Sequence, residues 1–286
     1  MAAAPGSARS IPLSVFLICR RTTTSVKLDS TVTATKRREK LEALLALSHK
    51  LGDPLRPLAI LGEGNVSTQL SDKTFLVKAS GCNLATLTKE NVVECRAQPL
   101  LALLEKGNLS DAEIDGTLLQ VRLDAKAKKP SVEALFHAWL LTLPGIEFVG
   151  HTHAPSVNAI LCSPRAREFA DKRIFPDEAV CCDVASVFVP YMDPGLKLAQ
   201  SIRDQTKTFI KKFGRPPRII LMENHGIITL GPTAAAVLTS MLMAEKAAGI
   251  WLGAAAFGGP KFMSPKHVKR MAARPDEVVR RKMLKL

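Results

Sequence analysis

Residues 218–230 read RIILMENHGIITL. Two short apolar runs, Arg218–Met222 and Ile227–Leu230, flank the turn Glu223-Asn224-His225-Gly226. Branched residues bounded by turn formers are the mark of paired strands. Upstream, Leu196, Ala199, Ile202, Thr206, Phe209, Ile210 and Phe213 keep helical spacing up to Gly214, and downstream Thr233 opens a long apolar helix. The unit is therefore helix, strand, turn, strand, helix.

The same alternation extends towards the N-terminus. Val187–Tyr191 reads as a strand closed by Asp193-Pro194-Gly195, and Ile146–His153 as another, followed by a short helix capped at Ser156. Lys128-Lys129-Pro130-Ser131 opens a helix to Thr142, with Ser131 as N-cap and Glu133 in the first turn. Asn108–Gly116 reads as loop and Thr88 as the cap of a helix. Phe75–Ala79 reads as a strand, Gly62–Ser67 as a glycine turn, and Lys36–Leu51 as a helix capped by Thr35. Strands and helices interleave without repeats or a Pro/Gly/Ser linker, which predicts one α/β domain over about 36–260.

The charge lies outside that domain. The chain has 286 residues and a formal net charge of +14, of which +6 falls in residues 1–50, +7 in 261–286 and only +1 in 51–260. Residues 261–286 read as a basic helical extension. The 14 aromatics of the whole chain are not interleaved with its basic runs, so base stacking has no platform and no nucleic-acid partner is expected. The first 28 residues lack Asp and Glu and are rich in Arg, Ser and Thr, which fits a transit peptide. A secretory signal, interrupted by Pro12 and Ser14, and a plain disordered tail over 1–35 are the other readings. Six cysteines without CxxC spacing point to a reducing compartment, cytoplasmic or mitochondrial/organellar. Ala234–Phe257 has the length of a membrane span, but Glu245 and Lys246 at its centre predict a buried helix instead, with no membrane partner.

Chemistry concentrates in a few residues. His151 and His153 sit two apart on a strand and share a face. They are either two satisfied polar histidines or a metal pair, for which His225, beside Gly226, is the third candidate. Glu133 and His137 share a helix face at i, i+4, where Glu133 can serve as an acid/base group beside a metal or simply complement the helix dipole. Gly62–Ser67 and Lys78–Gly81 are short loops whose backbone N–H groups can form an anion nest or merely turn the chain. Tyr191 is the only tyrosine and closes a strand.

In combination these segments resemble the zinc-dependent class II aldolase/adducin family, of which L-fuculose-phosphate aldolase is the best-known type. Gly64-Asn65-Val66-Ser67 resembles the family's first phosphate loop and Ser80-Gly81 its Thr/Ser-Gly loop. Pro130-Ser131-Val132-Glu133 matches the segment with a phosphate-binding serine and the acid/base glutamate. His151-Thr152-His153 and Asn224-His225-Gly226 match the zinc histidines, and Val189-Pro190-Tyr191 the segment whose tyrosine reaches an adjacent subunit's site.

The resemblance implies a single-domain α/β/α sandwich around a central, mostly antiparallel sheet, a Zn²⁺ cofactor and a homotetramer. It implies Glu133 and Tyr191 as catalytic residues, Asn65, Ser80, Gly81 and Ser131 as phosphate ligands, and His151, His153 and His225 as metal ligands. The activity it implies is retro-aldol cleavage of a small ketose, phosphorylated at C1. A methylthioribulose-1-phosphate dehydratase-type lyase and a non-catalytic adducin-like interaction protein are the alternatives. Val132 departs from the family, which has a second serine there, as does Asp193-Pro194-Gly195 after Tyr191.

Overall fold

A computed structural model describes residues 29–283, so most of the predicted transit or tail segment lies outside the described residues. One seven-stranded sheet organises the chain. Its strands are β1 (Asn65–Gln69), β2 (Thr74–Lys78), β3 (Val92–Arg96), β4 (Phe148–Thr152), β5 (Val187–Val189), β6 (Ile219–Met222) and β7 (Gly226–Gly231). Their order across the sheet is β3-β2-β1-β4-β7-β6-β5. Every pairing is antiparallel except β5 with β6.

Alternation along the strands gives the sheet two apolar faces. Phe75, Val77, Val149, Ile220, Met222 and Ile228 join one core, while Leu76, Phe148, Ile219, Leu221 and Ile227 join the other. The first core is closed by α2 (Ala97–Leu104), α3 (Asp111–Gln120), α4 (Ala134–Leu140) and α8 (Leu196–Phe213). The second is closed by α1 (Asp29–Leu51), α5 (Pro155–Leu161), α6 (Ala166–Asp171), α7 (Pro176–Cys182) and α9 (Ala234–Ala255). The result is a three-layer α/β/α sandwich. α10 (Pro265–Ala273) and α11 (Pro275–Met283) follow, and Val268 and Met271 of α10 pack against α7.

α9 is long and apolar enough to cross a membrane by length and composition, yet Val237, Met241, Ala244, Ala248 and Trp251 are buried against the sheet side. Glu245 is explained by what it touches: its two carboxylate oxygens accept from the N–H groups of Ser156 and Val157, at 3.0 and 3.1 Å. It therefore caps α5, which has no cap of its own at Ala154.

Several local expectations change. Asn65, Val66 and Ser67 are buried residues of β1, not part of a turn. Thr88 precedes only a 3₁₀ turn at Lys89–Asn91, after which Val92–Arg96 continues as a strand, so the helix starts at Ala97. Asn108–Gly116 is not loop throughout, because Ser110 and Glu113 form a reciprocal capping box that starts α3. The helix expected from Ser131 to Thr142 is confined to Ala134–Leu140, with Ser131–Glu133 as its entry turn, and α6 and α7 were not anticipated.

Candidate metal centre and acid/base site

Three histidines converge where β4 meets the β6–β7 turn. The parity that sends Phe148 and Gly150 towards α9 turns His151 to the opposite face, and the Nδ1 of its ring is 3.0 Å from the carbonyl of Ile227. Donation to that carbonyl fixes the tautomer and leaves the Nε2 lone pair pointing inwards. His153 follows at the strand end. His225 is held by its own turn: Asn224 adopts φ +51, Asn158 Nδ2 donates to the His225 carbonyl at 3.0 Å, and His225 N donates to Met222 O at 3.2 Å.

One ligand nitrogen from each of His151, His153 and His225 lies within 4.8 Å of the other two. His151 Nε2 is fully buried and has no hydrogen-bond partner. An orphaned buried acceptor facing two other imidazoles is what a bound divalent cation would satisfy, so the residues present fit a zinc ion.

Glu133 closes the site from the entry turn of α4. Its Oε1 is 3.4 Å from His151 Nε2 and 3.5 Å from His225 Nε2, and its Oε2 accepts from Asn65 Nδ2. Burial alone would raise the carboxyl pKa, but the His151 charge and the hydrogen bonds from His225 and Asn65 outweigh it and hold the group well below the usual carboxylate range. Burial likewise pushes His151 down to about 4 and His137 to about 3, so both imidazoles are uncharged at neutral pH. His137, one helical turn beyond Glu133, pairs through Nδ1 with Ser67 Oγ at 2.7 Å.

The remaining sequence-predicted residues divide. Ser131 Oγ accepts from Glu133 N at 3.3 Å, and Ser80 and Ser131 both line a cavity of about 600 Å³ together with Leu109, Lys129 and Val132. Gly81, at φ +72, lies at the exposed end of β2's loop. Asn65 holds Glu133 by its amide. Tyr191 is half exposed, and its hydroxyl donates to Asp193 Oδ1 at 2.9 Å, outside the histidine cluster.

Two charged residues take roles other than the anion nest expected of their loops. Lys78 is buried, donates to the carbonyls of Cys82 and Gly62 at 2.7 and 3.3 Å, and has its pKa lowered by desolvation. Its signal was a lysine ending an otherwise apolar strand. Glu63, between two glycines, places Oε1 3.7 Å from His153 Nδ1.

Residues 42–252 match the family described as the class II aldolase and adducin N-terminal domain. The chain belongs to that family. Among curated proteins, it is 28% identical over 202 residues to the uncharacterized oxidoreductase YuxG of Bacillus subtilis, covering 68% of this chain and 27% of that protein. The chain thus spans about a quarter of that relative's length. Two solved class II aldolase structures share the fold. The N-terminal class II aldolase domain of a conserved Thermoplasma acidophilum protein is 23% identical, covering 74% of this chain and 93% of its own, at a TM-score of 0.59. L-fuculose-1-phosphate aldolase of Thermus thermophilus is 18% identical, covering 78% and 98%, at a TM-score of 0.55.

Proposed function

We propose that the chain is a zinc-dependent aldehyde-lyase that cleaves a small ketose, phosphorylated at C1, between C3 and C4. The observation that carries this reading is the buried, unpartnered Nε2 of His151 set against His153, His225 and the carboxylate of Glu133. Zinc held by the three histidines supplies a Lewis acid for the ketose carbonyl and its neighbouring hydroxyl oxygen.

The chain's own residues do the rest. Asn65 pins Glu133 Oε2, so Oε1 is the oxygen available for proton transfer. In the condensation direction the ionised Glu133 removes the proton from the carbon that will form the new bond, and in cleavage it returns that proton to C3. Tyr191 of an adjacent copy in a homotetramer exchanges a proton with the C4 oxygen from the other side. The hydroxyls of Ser80 and Ser131, with the backbone around Gly81, hold the phosphate. Val132 removes one hydroxyl from that set and lines the adjoining cavity with methyl groups instead.

The test is a screen of the zinc-loaded protein against free and C1-phosphorylated ketoses, with aldehyde release as the readout. Aldehyde together with a three-carbon fragment is expected. Loss of water without carbon–carbon cleavage, or no turnover at full zinc occupancy, overturns the reading. His153→Ala should abolish stoichiometric zinc; retained zinc would remove its foundation.

A further inference from the structure

We propose that Glu63 is the positioning carboxylate of the metal centre, holding His153 in the tautomer and orientation that present its other nitrogen to the ion. This rests on the zinc reading above and assigns a role to a residue outside the histidine–glutamate set.

The turn that carries Glu63 is built for placement. Glu63 N donates to Ile60 O at 3.0 Å, and Ile60 N donates back to Glu63 Oε2 at 3.1 Å, so one carboxylate oxygen is anchored and the other is directed. Between them Leu61 adopts φ +51, a left-handed conformation that is strained for any residue with a side chain. That strain serves no packing purpose, since the Leu61 side chain is 76% exposed. The turn is fastened on both flanks. Lys78 Nζ reaches Gly62 O at 3.3 Å, and Gly64, at φ +69, lies so close to β4 that an added Cβ would stand 2.7 Å from the His151 carbonyl.

The free oxygen meets His153 on its Nδ1 edge, at 3.7 Å. The opposite edge of the ring faces the His225 turn: an added Cβ on Gly226 would stand 2.9 Å from His153 Cδ2, the carbon bonded to Nε2. The ring thus has Nδ1 on the Glu63 side and Cδ2, next to Nε2, on the side of the His225 turn. His151 uses a backbone carbonyl for the same purpose. A carboxylate in that position fixes the tautomer and raises the basicity of the ligand nitrogen. The separation of 3.7 Å is longer than a hydrogen bond, so the proposed role requires the two groups to draw closer when His153 takes up an ion.

The test uses the full chain and metal binding, not turnover. Zinc affinity is measured by chelator competition for the wild type, Glu63→Ala, Glu63→Gln and His153→Ala, with visible absorption of the Co²⁺ forms alongside. Glu63→Ala is expected to weaken affinity about 10–100-fold, with an unchanged Co²⁺ coordination number and unchanged metal-free melting temperature. Glu63→Gln, which keeps the shape without the charge, falls between. Wild-type affinity in Glu63→Ala overturns the proposal, and so does a changed coordination number, which would make Glu63 a ligand. Should Glu63→Ala not fold, Glu63→Gln decides, with wild-type affinity overturning it. A wild type that binds no more zinc than His153→Ala brings down the metal reading itself.

Discussion

A single methyl group separates a working cluster from a broken one at Gly226. An added Cβ would lie 2.6 Å from the Thr152 carbonyl, 2.9 Å from His153 Cδ2 and 3.0 Å from His151 Cε1. Backbone cannot rotate away as a side chain can, so Gly226→Ala must push β4 from β7 and spread the histidines. The expected outcome is loss of stoichiometric zinc by elemental analysis, with about 1–3 kcal/mol of lost stability. Full zinc content in that variant would show that the turn yields cheaply. Glu133 is the second decisive residue. Glu133→Gln retains an acceptor for Asn65 but cannot carry a proton, so turnover should fall about 10²–10⁴-fold while zinc content is unchanged. Loss of zinc in Glu133→Gln would instead make the carboxylate a structural part of the ligand set.

Among the elements, the helix that most resembles a membrane span owes its charged centre to a neighbour. Glu245 caps α5, whose first turn begins immediately after His153, so Glu245→Ala leaves the Ser156 and Val157 N–H groups without their acceptor. A loss of about 0.5–2 kcal/mol in urea denaturation is expected, and an unchanged midpoint would show that water replaces the carboxylate. The elements that were legible from sequence are those with an unbroken period: α8, β6, β7 and α9 carry their pattern in the residues themselves. Two of the three histidines were legible as a pair, because period two puts His151 on β4 and His153 just past its end on one face, and His225 was a candidate from its place in the turn between two strands. β3 was missed although its burial alternates, because Thr88 and the charged Lys89 and Glu90 imitate a helix start. α3 was missed because its capping box was read as a polar loop. Glu63 was not legible, because its contact with His153 joins distant parts of the chain, whereas Lys78, bonded to the nearby Gly62 and Cys82 carbonyls, showed only as a lysine ending an apolar strand.

For the whole molecule, acid titration has a defined sign. Burial pushes His137 to about 3 and His151 to about 4, against about 6.5 in an unfolded chain. Above pH 6.5 neither state binds a proton at these sites, and stability is unaffected. Below it the unfolded chain is protonated while the native one is not, so stability falls with pH until the native values are reached. At pH 5 each group contributes a loss of about 2 kcal/mol. Denaturant titrations of the metal-free protein at pH 7 and pH 5 should show the difference, and equal midpoints would contradict it.

The strand order has a consequence in time as well as in space. Asn65 and Glu133 are 68 residues apart, and His151 and Ile227 are 76 apart, yet β1, β4 and β7 lie side by side. No local segment carries the centre, because its parts meet only after the most distant pairings have formed, which are the slowest to close. An ion that needs all three histidines would therefore find only the local His151–His153 pair in a partly folded chain. On the zinc reading, most of the ion's affinity would be added to the native state, and metal capture during refolding would act as a clock for completion of the middle of the sheet.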